Sequence, residues 1–141
     1  MNQFYVYESA KALSAMIPKK SAAAALAKQI TVDRFGYESG FVVCKTGAAT
    51  GSPSAQVITF QLMHGDESNG SDAANVASAK LTTSSVVITT DSTISFIPFR
   101  ATQLKRYLTI SVTYAFTGGS APEQVADAIF IFGNKYDEPV A

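Results

Sequence analysis

Apolar and polar residues alternate most regularly from Arg106 to Phe116, RYLTISVTYAF. Leu108, Ile110, Val112, Tyr114 and Phe116 fall on one face, and Tyr107, Thr109, Ser111, Thr113 and Ala115 on the other. A period of two this long predicts a half-buried strand, because successive side chains point to opposite sides of a sheet. Gly118-Gly119 ends it, and VADAIFIF (Val125 to Phe132) predicts a further strand closing at Gly133-Asn134. Upstream, AQVITFQLMH (Ala55 to His64) places Ile58, Phe60 and Leu62 on one face, ahead of the polar loop GDESNGSD from Gly65 to Asp72. Val86 to Thr90 and Thr93 to Phe99 read as a hairpin around Asp91-Ser92, with Pro98 placing its second strand at an edge or an end. Phe41 to Thr46 and Gln29 to Phe35 complete seven or eight short strands. No βαβ alternation and no internal repeat accompanies them, so the fold class is all-β, an antiparallel sandwich, jelly roll or barrel.

The first 28 residues differ. ESAKALSAM (Glu8 to Met16) and SAAAALAK (Ser21 to Lys28) are good helix formers separated by Pro18, yet each is too short for a stable isolated helix. Residues 1–28 are therefore expected to be short docked helices or an extended arm, and residues 29–141 the sandwich. Phe4, Tyr5 and Tyr7 suit anchors at an interface, or equally an edge strand whose rings finish the core.

Composition shifts the picture toward a protein that sits against others. Of 141 residues, 47% are apolar but only 16% charged, below the usual quarter. A surface of small neutral side chains needs little charge desolvation to pack on another. Eleven basic and eleven acidic residues cancel, which leaves no basic field for nucleic acid; the pair Lys19-Lys20 is too small to supply one. Cys44 is a lone cysteine, which excludes an internal disulfide and reads as a buried thiol. No apolar run reaches the length of a membrane span, and the first residues lack a signal-peptide pattern, so assembly in a cytoplasm is the expectation.

Catalytic constellations are sparse. His64 is the single histidine and reads as a strand-end residue bonded to loop groups. The loop after it fails the EF-hand spacing: counted from Asp66, the third, sixth and twelfth positions are Ser68, Ser71 and Ala77. No G-x-S-x-G elbow, P-loop or GxGxxG cradle occurs. Paired carboxylates need only meet in space, but tryptophan, the strongest sugar platform, is absent. Arg34 and Arg106 read either as forks for a partner carboxylate or as strand-end residues pinning a loop or stacking on a ring. The expectation is no catalytic site, no cofactor and no metal.

Three stretches, in order, resemble a family of small structural proteins of tailed bacteriophages and prophages, the capsid decoration or cement type. The first is Val32-Asp33-Arg34-Phe35-Gly36-Tyr37-Glu38-Ser39, followed by an apolar strand and Gly47. The second is Phe60-Gln61-Leu62-Met63-His64-Gly65-Asp66-Glu67-Ser68, a strand running into an acidic loop. The third is Lys105-Arg106-Tyr107-Leu108-Thr109-Ile110; a last strand closing on Gly133 and a terminal Pro139-Val140 also match. The resemblance spans residues 25 to 141. The chain departs from the family at Asn134-Lys135-Tyr136-Asp137-Glu138, where a basic, histidine-containing tail is common, and at Thr109, where arginine is common.

The resemblance implies a β-sandwich on the outside of a virion, binding the major capsid protein and itself, as a trimer or other small homo-oligomer, with no nucleic-acid or membrane partner. Candidate partner contacts are Phe4, Tyr5, Tyr7, Lys19, Lys20 and Tyr136. The alternatives are a carbohydrate-binding jelly-roll module and a tail or head–tail joining protein of the same fold.

Overall fold

In the computed structural model, residues 10–77, 81 and 83–135 are described. Ten strands are β1 (Lys11–Ser21), β2 (Ala24–Leu26), β3 (Val32–Asp33), β4 (Tyr37–Thr50), β5 (Ala55–Gly65), β6 (Ala74–Asn75), β7 (Ser85–Ile88), β8 (Ile94–Arg100), β9 (Tyr107–Thr117) and β10 (Glu123–Lys135). Among the described residues one 3-10 turn, Ala101–Gln103, interrupts them. All pairing is antiparallel.

The strands form two sheets. One has the order β1-β10-β4-β8. The other has β9 and β5 at its centre, with β2 and β3 end to end along the free side of β9 and β6 and β7 along that of β5. The chain alternates between sheets: β1 in the first, β2 and β3 in the second, β4 back, β5 to β7 across, then β8, β9 and β10 by turns. That winding is a jelly roll, two four-column sheets face to face.

Alternation decides which residues meet between the layers. Leu108, Ile110, Val112 and Tyr114 from β9 and Ile58, Phe60 and Leu62 from β5 face Val42, Cys44, Ile97, Ala128, Phe130 and Phe132, all essentially fully buried. Aromatic rings fill one end of this core. Phe130 stacks on Phe132 at 5.8 Å, and Phe99 meets Phe132 edge-on at 5.8 Å. Gly40 allows that closeness, since a Cβ there would stand 2.5 Å from the Ile131 carbonyl oxygen and 2.9 Å from Phe99 Cζ. Gly36, at φ 90°, makes the turn from β3 into β4.

Three expectations change. The segments 11–16 and 24–26 are strands, not the helices their propensity favours: β1 pairs with β10 from Lys11↔Phe132 to Ser21↔Gln124, and Ala24 pairs with Tyr114. The backbone groups of β9 and β10 need partners, and satisfying them outweighs a helix preference of a few tenths of a kcal/mol per residue. β1 bends through two bulges, one letting Ala15 and Met16 both face the core, the other setting Ile17 and Pro18 opposite Asp127.

Secondly, β7 and β8 do not form a hairpin. β7 pairs with β5 and β8 with β4, so the turn at Asp91-Ser92 carries the chain across the sandwich. Their buried residues Ile88 and Ile97 face the core from opposite layers. Thirdly, the strand foreseen over Gln29 to Phe35 contracts to Val32–Asp33. Pro98 does lie on an edge strand.

Candidate functional site

The four-stranded sheet is apolar on both faces. Its outer side can be followed in rows across β8, β4, β10 and β1. Pro98, Phe41, Ile131 and Ala12 form one row; Phe96, Val43, Ile129 and Ser14 form the next. Neither row contains a charge. Phe96 is 53% exposed and rests edge-on against Phe41 at 5.8 Å, and Ile94, 58% exposed, extends the β8 ridge. Below these rows lies the Lys45–Asp127 ion pair (3.4 Å), and beyond it Lys20–Glu123 (3.1 Å). The row above holds Arg100, Ser39 and Gly133.

Small residues in that upper row leave a basin of about 1320 Å³. Ser39, Gly40 and Gly133 make its low floor, Phe41, Pro98 and Ile131 one wall, and Arg34, Glu38, Arg100 and Thr102 the rim. Among the described residues, nothing lies within 4 Å of a Cβ built on Gly133. The Phe99–Phe130–Phe132 cluster underneath stiffens the floor. Ala10, where the described chain begins, also borders the basin.

The groups that sequence singled out for possible chemistry are engaged within the fold. Arg34 pins the loop before β9, with Nε donating to the Lys105 carbonyl at 2.7 Å and Nη2 to that of Leu104 at 2.6 Å. Arg106 forks Asp33, with Nε to Oδ1 at 3.0 Å and Nη2 to Oδ2 at 2.8 Å. Its guanidinium also lies 4.9 Å from the Phe35 ring centroid and 5.2 Å from that of Tyr107. The hydrogen bond from Arg106 is the main reason the Asp33 carboxyl titrates below its usual range. Both arginines thus take the loop-pinning and ring-stacking role.

In the acidic loop, Asp72 accepts from the amides of Asp66 (2.8 Å) and Glu67 (3.1 Å), which lowers its pKa. Lys105 Nζ reaches Asp66 Oδ2 at 2.7 Å. His64 Nδ1 accepts the Lys105 amide at 3.2 Å. No group of three or more metal-ligating residues occurs among the described residues. Cys44 is fully buried, and desolvation, with Asp127 adding to it, pushes its thiol up to about 12.

Of the candidate contacts, Phe4, Tyr5, Tyr7 and Tyr136 lie outside the described residues. Lys19 and Lys20 are exposed on β1, beside Val125 and Ala126, at the opposite end of the sheet from the basin. Lys20 pairs with Glu123, and the Lys19 carbonyl accepts from the Tyr114 hydroxyl at 2.9 Å. The outer rows and the basin were not anticipated from sequence. Their signal is double-sided hydrophobicity: ISFIPF, FVVC and AIFIF keep apolar residues on both parities of a strand, more than one core face uses.

No protein-family model matches the chain. No curated protein matches it either. Among solved structures it is similar to the VP2 subviral particle of infectious bursal disease virus, at 11% identity and a TM-score of 0.48 over 92% of this chain. The Gx strain of the same virus gives 10% identity and a TM-score of 0.49, again over 92% of this chain. This chain spans about a third of the length of those chains, 34% in each case. At such identity and TM-scores the likeness is too loose to carry a role across.

Proposed function

We propose that this protein is a non-enzymatic structural component of a virion, a decoration or cement protein that binds the outside of the major capsid lattice. The observation that carries the reading is the outer face of the four-stranded sheet, where two rows are uncharged and, Ser14 apart, apolar, and run into a basin. Sandwich sheets facing water normally alternate apolar-in with polar-out. A wide apolar outer face is a surface built to be covered by protein. The family resemblance of residues 25 to 141 supplies the kind of particle.

Mechanistically, such a protein bridges capsid subunits by buried area and shape fit, each contact needing roughly 1,000 Å² or more for lasting occupancy. Repetition over a lattice multiplies modest contacts. Phe4, Tyr5, Tyr7, Lys19, Lys20 and Tyr136 are proposed contacts to the capsid.

The test is a stability challenge. Heads assembled without the protein are heated with and without it, and genome release is followed by dye fluorescence. Added protein should raise the release temperature in a saturable way. No shift, with binding on a glycan array instead, would replace this reading by the carbohydrate-binding one.

A further inference from the structure

The outer face carries two features of opposite shape, a ridge and a basin, and a reason to join them. The ridge is Ile94 and Phe96 on the edge strand β8, each more than half exposed. The basin opens two strands away and toward the other end, over Ser39 and Gly133. Its volume exceeds the roughly 300–1,000 Å³ of ordinary small-molecule pockets, and its walls suit side chains. For any two points on one flat face, a two-fold axis lying in the contact plane exchanges them. One such axis therefore seats the ridge of each copy in the basin of the other, reciprocally, as an isologous contact requires.

We propose that the occupant of this face is a second copy of the same chain, with Phe96 and Ile94 of each seated over Gly133 of its mate. This rests on reading the outer face as a protein interface, and it leaves the Lys19–Lys20 end of β1, beyond the Lys45–Asp127 row, for the capsid. Area supports it. Four strands at about 4.8 Å spacing and six residue steps of about 3.4 Å give a footprint of roughly 400 Å². Two such faces bury about 800 Å² if flat, and side-chain relief adds to that, toward the roughly 1,000 Å² that separates specific from incidental contacts. Charge does not oppose it. The chain's formal net charge is zero and the two central rows hold no ionised group; at their margins Lys45 and Asp127 pair within each copy, and Arg100 lies beside the basin. Because ridge and basin share one face, pairing closes at two copies, which makes the dimer the building unit of any larger oligomer.

Sedimentation velocity over a micromolar concentration series is the first experiment, with three variants. Phe96→Ser removes the ridge, and Gly133→Leu fills the basin at a position where an added Cβ has no described residue within 4 Å. Each should raise the dimer dissociation constant tenfold or more while thermal unfolding confirms folded protein. The third variant, Phe96→Cys with Gly133→Cys, tests contact directly. Within one chain the two positions lie four residues and two strands apart, about 16 Å, too far for a disulfide. Cys44 is buried and inert, so a covalent dimer on a non-reducing gel reports the intermolecular contact. Wild-type protein that stays monomeric, or dimers indifferent to both single variants, would overturn the pairing. Capsid co-sedimentation of the same variants separates the two levels. If monomeric protein binds capsids and Phe96→Ser abolishes that binding, the face belongs to the capsid and only the pairing fails. If neither self-association nor capsid binding responds to either variant, the face is no interface at all.

Discussion

Replacing Met16 by alanine tests whether the N-terminal residues are part of the sandwich. Met16 is 1% exposed, seated on β1 opposite Ala128, while its neighbour Ile17 is 70% exposed in the bulge that follows. Truncating a fully buried methionine removes its transfer energy and leaves a cavity, about 2–5 kcal/mol in all. Edge strands relax more readily than central ones, so about 3 kcal/mol is the expected loss. For a domain of this length that lowers Tm by about 10 °C. Ile17→Ala, one residue away and largely in solvent already, should cost less than about 0.5 kcal/mol. Calorimetry and urea titration of the two variants measure the contrast. A Met16→Ala shift under about 2 °C, or equal shifts for both, would show that residues 11–21 hang on the sheet as an arm without holding the core.

Other consequences of the fold can be checked as directly. Burial raises the Tyr114 hydroxyl to about 12 from 10.0, so the unfolded chain releases this proton first; stability is complete below pH 10 and declines as pH rises toward 12, and Tyr114→Phe should flatten that decline in base-induced unfolding. The same substitution deletes the bond to the Lys19 carbonyl and should cost about 1 kcal/mol at neutral pH. Cys44, buried and with its thiol raised, should not react with a chromogenic disulfide reagent in the native protein and should react fully in denaturant; rapid native labelling would contradict the packing. Asp33→Asn should cost less than about 1 kcal/mol, because the Arg106 fork is half exposed and screened. The lowered Asp33 pKa makes its contribution present above the normal carboxylate range and removes it on acidification, so the small difference from wild type should shrink as the pH falls below that range.

Much of this architecture was legible in the chain because alternation is a direct image of a two-faced sheet. The Leu108, Ile110, Val112 and Tyr114 series and the Ile58, Phe60 and Leu62 series both map onto the buried face. What misled was local preference without its tertiary partner. SAAAALAK favours a helix by propensity, yet the free side of β9 takes Ala24–Leu26 as a strand, and no window of eight residues contains that information. Likewise Asp91-Ser92 has the composition of a hairpin turn, but whether its flanking strands pair with each other or with β5 and β4 depends on residues 24 to 61 positions away. The basin was hidden for a similar reason. It arises where Ser39 and Gly133, distant in sequence, fall side by side in register.

Co-sedimentation with capsids assembled without this protein tests the central claim most directly. Saturable binding at a fixed ratio to the major capsid protein, undiminished by competing sugars, is the predicted result. Protein that remains in the supernatant at every concentration, with folded structure verified, would contradict a capsid-binding role.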